Sequence, residues 1–329
     1  MASTHTHHQT WQEELVSSFK SMDTFLDNLG IDPASLPYTI ERHHNFPFFV
    51  SRFFASLIDA RDPHDPLLKQ VLIQSDENIV TPGYKTDPLE EASMRPQKGI
   101  THKYKHRALL MLSGACAINC RYCFRRHSPY HEITASLKNI SYIQEYCHTH
   151  QIREIIFSGG DPLLLGNKQI KQWCDALREA DVELIRIHSR LPSVLPNRID
   201  DGFIEIATTL GYRLAICYHI NHAQECHPLI AEKALALKKA GVRTYNQSVL
   251  LRGINDSPDT LTALSHTLIA HHIQPYYLHQ MDPVQGAAHF AVPKNKGKEI
   301  LQQMMAICPG YLVPKYVEEV PYQSSKTHI

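Results

Sequence analysis

The chain reads as an α/β protein, a partial (β/α)6 barrel with a helical N-terminal segment in front and a short tail behind. Three observations predict this. Six short apolar runs, 108–112, 154–158, 183–188, 214–219, 244–250 and 274–278, recur after the first at roughly 30-residue spacing. Helix-like segments such as 168–179 and 228–240 fill the gaps, so the units are strand, helix, strand with a parallel sheet. A compact cysteine loop and a Gly-Gly turn directly follow the first two runs, where parallel-sheet enzymes carry their chemistry. Six units are fewer than the eight of a closed barrel, and a doubly wound open sheet would show the same periodicity.

The elements follow in order. Residues 11–29 are amphipathic and stop at Gly30, a C-cap signal. A second helix is predicted over 46–57, with Pro47 in its first turn, and Asp65-Pro66 opens a third. Residues 76–99 are rich in Pro and Gly and read as a connector. The chain thus divides into a helical segment and connector (1–99), a barrel core (100–308) and a tail (309–329). The tail carries Lys315, Glu318, Glu319 and Lys326.

Composition narrows the function classes. Lys+Arg and Asp+Glu both number 33, which argues for neither nucleic acid nor an anionic membrane surface as partner. No stretch approaches the roughly 20 apolar residues of a membrane span. Residues 1–12 are polar and His-rich, with no apolar signal core. Eight cysteines in a long chain of that kind point to metal chemistry in a reducing compartment, the cytoplasm, rather than to disulfides.

Cys116, Cys120 and Cys123 lie in Gly114-Ala-Cys-Ala-Ile-Asn-Cys-Arg-Tyr-Cys-Phe-Arg-Arg-His127. Electron-transfer clusters are usually held by four cysteines, so three leave one iron of a [4Fe-4S] cluster open to an exogenous molecule. That is the pattern of radical S-adenosylmethionine enzymes, in which S-adenosyl-L-methionine at the open iron yields a carbon radical. Arg121, Arg125 and Arg126 set positive charge beside an anionic cluster, and one could grip a substrate carboxylate bidentately. The competing reading is a closed zinc site of Cys116, Cys120, Cys123 and His127 in a non-catalytic interaction or sensing module. Gly159-Gly160 lets a ligand approach bare backbone, although alone it marks only a strand-to-helix turn.

With these residues in hand, the chain resembles the lysine 2,3-aminomutase family, and most of all its short branch. The likeness runs through His102-Lys-Tyr104 with Arg107, the cysteine loop, Ser158-Gly-Gly-Asp-Pro162 and Arg186-Ile-His-Ser-Arg-Leu-Pro192. It continues through His219-Ile-Asn-His222, Asn246-Gln-Ser-Val-Leu-Leu-Arg252, Pro275-Tyr-Tyr277 and Gln285-Gly-Ala-Ala-His-Phe290. It closes with Gly310-Tyr-Leu-Val-Pro314 and Ser325-Lys326-Thr327.

The resemblance implies a barrel of the radical S-adenosylmethionine type with pyridoxal 5'-phosphate as a further cofactor. The family motif places the pyridoxal lysine at Lys326; Lys315, in Val-Pro-Lys-Tyr, does not match. Arg107, with Lys103 and Tyr104, would contact the cofactor phosphate. Ser158, Gly159, Gly160 and Asp161, with His219 and Gln247, would contact S-adenosylmethionine. Arg125 would hold the carboxylate of L-lysine, Asp282 its distal ammonium, and Glu319 falls where longer relatives use a second aspartate.

The implied reaction converts L-α-lysine to (R)-β-lysine, for attachment to elongation factor P by a separate ligase. An electron donor such as flavodoxin or ferredoxin would serve it, and homo-oligomerisation is left open. Two departures stand out: Pro321-Tyr-Gln-Ser-Ser325 replaces a glycine-rich stretch, and the long C-terminal extension of longer relatives is missing after Ile329. A mutase for another amino acid, such as glutamate or arginine, is the runner-up, disfavoured for glutamate by the two acids.

Overall fold

A computed structural model describes residues 9–42 and 44–329. The polar, His-rich start of the chain lies outside the described residues up to position 8. One mixed sheet of nine strands organises the rest, in the order β1 to β9 without interruption. The strands are Ile100–Tyr104 (β1), Arg107–Ser113 (β2), Glu154–Gly159 (β3), Leu184–Ser189 (β4), Leu214–Tyr218 (β5), Arg243–Leu250 (β6), Gln274–Gln280 (β7), Lys315–Glu318 (β8) and Thr327–His328 (β9). Strands β2 to β8 pair in parallel, while β1 and β9 pair antiparallel at the two edges. A doubly wound sheet reverses its strand order partway. This order never reverses, so the sheet is an unclosed barrel.

The six predicted runs are β2 to β7. Six helices link β2 through β8: Ile140–Thr149, Asn167–Glu179, Asp201–Leu210, Pro228–Lys239, Pro258–Ala270 and Lys294–Ile307. The first five pack their apolar faces on the outside of the sheet, in the main core with Ile155, Ile185, Ile187, Ile216 and Leu237, while Lys294–Ile307 packs in a separate cluster with Leu250, Leu278 and Tyr316. None of the described helices is long and apolar enough to cross a membrane.

Three strands had no signal of their own. β1 is half polar, β8 has four residues and β9 two, so each depends on its neighbour for pairing. The predicted tail therefore adds two strands to the sheet.

The N-terminal segment is less regular than its periodicity suggests. The helix predicted over 11–29 is two helices, Trp11–Val16 and Met22–Leu29, split where Phe19 forms a backbone bridge with Val50. Gly30 ends the second at φ +68°, the left-handed cap expected. Of the helix predicted over 46–57 only Arg52–Ser56 forms. The carbonyls of Phe46, Pro47 and Phe49 are drawn instead to Arg121 and Asn119 of the cysteine loop. Asp65 caps Pro66–Lys69 as expected, through the amides of Leu67 and Leu68.

Candidate active site

The barrel encloses a cavity of about 360 Å³. Side chains at alternate strand positions line it: Ile156 and Ser158 from β3, Arg186 and His188 from β4, Gln247 and Val249 from β6, Tyr277 and His279 from β7. The strand runs look apolar because their outward residues are, whereas the inward set is largely polar.

At the C-terminal ends of the strands, Cys116, Cys120 and Cys123 line the cavity on the loop after β2, each partly exposed. Burial, then the Cys120 sulfur, pushes the Cys123 thiol up to about 11, and burial also raises Cys116. A bound metal would deprotonate such thiols, as cluster ligation requires. His127 sits on the exposed side with its Nε2 3.1 Å from the Gln285 carbonyl. Among the described residues no three His, Cys, Asp or Glu side chains converge on a single-ion position. His127, the fourth ligand of the zinc alternative, is turned to Gln285 instead.

The three arginines of this loop do not stay together. Arg121 is fully buried against Glu77, with Nε 2.9 Å from Oε1, and Arg126 binds the same carboxylate. These two charges are therefore spent on tying the connector to the loop. Only Arg125 lines the cavity, and it is paired as well. Its Nε donates to Glu91 Oε2 at 2.9 Å, its Nη2 to Glu91 Oε1 at 2.6 Å and its Nη1 to Ser158 Oγ at 2.9 Å. Three of five N–H donors are taken, and two are left for a ligand. Glu91, from the irregular connector, had no distinguishing signal in the sequence.

The glycine pair lines the cavity and has a further, structural reason. A Cβ on Gly159 would lie 2.3 Å from the Ser113 carbonyl oxygen, and one on Gly160 2.3 Å from that of Ala115. What approaches the bare backbone here is the cysteine loop itself, through Gly160 N to Ser113 O and Asp161 N to Ala115 O at 2.7 Å each. Gly160→Ala is expected to displace that loop at a cost of about 1–3 kcal/mol. Iron content after reconstitution should drop with it; full iron loading would show that the loop tolerates the methyl.

The Asp161 carboxylate is likewise turned inward. It accepts from Ser189 Oγ at 2.7 Å and from the amides of Leu163, Arg190 and Leu191 at 3.0, 2.8 and 2.9 Å. Its acceptor sites are filled by the chain, so it positions the loop after β4 and reaches no cofactor with that carboxylate. Arg190 on that loop donates to Cys120 Sγ and Tyr122 Oη at 2.6 Å, to Gln70 and to Glu225. His219 joins this network through Tyr122 Oη at 2.9 Å, and Gln247 touches His188 Nδ1 at 3.3 Å.

The opposite end of the cavity lies lower than the rim on which the sequence centred the site. Arg107 stands at the start of β2, and its Nε is buried without a hydrogen-bond partner. Arg107 Nη1 and Arg186 Nε lie 3.7 and 3.0 Å from one carboxylate, Glu154. Two guanidinium groups sharing one acid leave a net positive patch, which fits a phosphate. Tyr104 flanks that patch, with the Arg107 guanidinium 4.3 Å from its ring centroid, while its hydroxyl and Lys103 turn to Glu319. Lys103 Nζ donates to Glu319 Oε1 at 2.5 Å and Tyr104 Oη to the same oxygen at 2.6 Å.

Lys326 reaches the cavity because β9 folds back on β8, and its Nζ binds Glu319 Oε2. It lies 5.8 Å from the Tyr277 ring centroid. Burial pushes Glu319 up, yet Lys326 and the hydrogen bonds from Lys103, Lys326 and Tyr104 hold it at about 2. Asp282 is the contrast. No hydrogen bond from a described residue reaches its carboxylate, and burial raises it to about 7 despite Lys326 nearby. His188 and His279, neither expected as site residues, complete the wall as neutral imidazoles; burial lowers both, His279 to about 3.

The Radical SAM superfamily model matches residues 110–263. The L-lysine 2,3-aminomutase of Escherichia coli (strain K12) is 40% identical over 97% of this chain and 94% of that protein. That of Haemophilus influenzae is 36% identical over 97% and 95%. That of Methanococcus maripaludis is 34% identical over 94% and 72%. Among solved structures, a radical SAM methyltransferase from Sphaerobacter thermophilus overlays 66% of this chain and 68% of that one, with a TM-score of 0.47 and 17% identity.

Proposed function

The chain belongs to the lysine 2,3-aminomutase family of radical S-adenosylmethionine enzymes, and we propose that it moves the α-amino group of L-lysine from C2 to C3, giving (R)-β-lysine, with pyridoxal phosphate on Lys326. The observation that carries this is one continuous cavity lined by three thiols, a positive patch at Arg107 and Arg186, and the Lys326 amine. When bound, the cluster with S-adenosylmethionine supplies a radical that removes an unactivated hydrogen, and pyridoxal phosphate supplies the carbonyl that carries the migrating nitrogen.

The chain's own residues place the substrate. The two remaining donors of Arg125 suit one α-carboxylate, and Glu91 keeps the guanidinium from turning. At the far end Asp282 offers the acid that a distal ammonium needs, and gains its charge by pairing. Arg107 suits the phosphate. An acid at the far end favours a cationic amino acid and disfavours glutamate.

The likeness of the motifs supports the wider setting: a cytoplasmic enzyme, reduced by a flavodoxin or ferredoxin, supplying β-lysine to elongation factor P through a ligase. Anaerobic reconstitution with iron, sulfide, pyridoxal phosphate and S-adenosylmethionine, followed by chiral chromatography of lysine, tests the reaction. β-Lysine of R configuration is the expected product. A fully loaded protein that leaves L-lysine unchanged while rearranging another amino acid would overturn the substrate.

A further inference from the structure

Glu319 stands where the family resemblance expects a second acid for the substrate ammonium, but its oxygens are occupied by the chain. Oε2 binds Lys326 Nζ, and Oε1 takes Lys103 Nζ at 2.5 Å and Tyr104 Oη at 2.6 Å. Resting on the function above, we propose that Glu319 is a docking carboxylate for the Lys326 amine whenever that amine is not joined to the cofactor, and does not bind the substrate.

The topology builds this pairing. Glu318 of β8 is the register partner of Thr327 of β9. Glu319 and Lys326 are the next residues on each side, so the hairpin holds them across from each other over a connection of six residues. Lys103 comes from β1, at the far edge of the sheet in strand order, and reaches the same carboxylate. One carboxylate therefore joins the two edges of the open barrel through two ammonium groups. A third ammonium at the same oxygens would be pressed against both existing cations. Asp282 meets no such competition, because no described residue donates to it.

The docking matters during substrate exchange. With pyridoxal phosphate bound, the substrate nitrogen would take over the bond to the cofactor's carbonyl carbon that the Lys326 nitrogen gives up. The two protons that leave the substrate ammonium would end on the Lys326 nitrogen, which departs as an ammonium with no change of oxidation state. The released ammonium then pairs with Glu319, which draws the exchange forward and keeps Lys326 from reattacking. Glu319 is thus a positioning residue acting through Lys326.

Two measurements test it. In the cofactor-free full chain, acetic anhydride labelling read by mass spectrometry should spare Lys326 relative to the exposed Lys315. Glu319→Gln should raise Lys326 labelling about fivefold or more, and Glu319→Asp should restore much of the protection. In the pyridoxal-loaded chain without S-adenosylmethionine, the cofactor absorbance reports displacement of Lys326 by added amino acid.

There, Glu319→Gln should raise the concentration needed about tenfold for both L-lysine and L-norleucine, which lacks the distal ammonium. Asp282→Asn should affect lysine alone. A Glu319→Gln effect confined to lysine would make Glu319 a substrate acid and overturn the proposal, as would unchanged Lys326 labelling. If no pyridoxal band forms even in the unaltered chain, the proposed function fails, while the labelling still decides whether Glu319 pairs with Lys326.

Discussion

Lys326→Ala is expected to lose the absorbance of covalently bound pyridoxal and to lower lysine rearrangement by about four orders of magnitude or more. The side chain is partly exposed near the end of the chain, and its loss leaves Glu319 still paired with Lys103 and Tyr104. The fold and the cysteine loop should therefore survive, with iron content unchanged. That combination separates a lost covalent anchor from a collapsed barrel. Borohydride trapping followed by peptide mapping is the direct measurement. A trapped cofactor on Lys315, or on Lys326 in a chain that needs no pyridoxal for turnover, would remove the anchor from the scheme.

Asp282→Asn is expected to cost about 3 kcal/mol in kcat/KM for lysine, or about a hundredfold, by removing the charge opposite the distal ammonium. Burial raises Asp282 to about 7, with Glu319 and Glu91 adding and Lys326 and Arg125 opposing. In the ligand-free enzyme the carboxyl therefore gains its proton as the pH falls through about 7. Below that, kcat/KM for lysine should drop about tenfold per pH unit, and the Asn variant should lack this limb.

The stability consequence has the opposite sign. The folded-state value lies above the ordinary 3.8, so the folded chain holds this proton more tightly than the unfolded chain does. Ionisation then weakens the fold increasingly as pH rises from about 4 to 7. The Asn variant should be more stable than the unaltered chain at pH 8, on the order of a few kcal/mol, and no more stable than it at pH 4. A variant that binds lysine normally, or melts lower at pH 8, would take Asp282 out of the substrate site.

The most legible features were those written in consecutive residues. The cysteine spacing, the strand–helix period and the Ser325-Lys326-Thr327 run are local patterns, and the cavity brings all three together. Harder to see were residues whose meaning depends on a distant partner. Glu91 acquires its role from Arg125, 34 positions on, and Lys103 from Glu319, 216 positions on. The Gly159-Gly160 pair was noticed, but the backbone it admits belongs to Ser113 and Ala115 of the chain itself.

From the order of its amino acids alone, this protein was legible as a parallel-sheet chain with three clustered thiols and Lys326 in a matching motif. Periodicity and spacing act over a few residues, and the chain carries that information wherever it goes. Only the tertiary structure decided which charges stay available. Folding brings Glu77 onto Arg121 and Arg126, Glu91 onto Arg125, and Glu319 onto both Lys103 and Lys326. Asp282 alone of the expected substrate groups is left without a protein hydrogen bond among the described residues. Buried charges must find partners, and which partner each one finds is a matter of three-dimensional proximity that no run of neighbouring residues encodes.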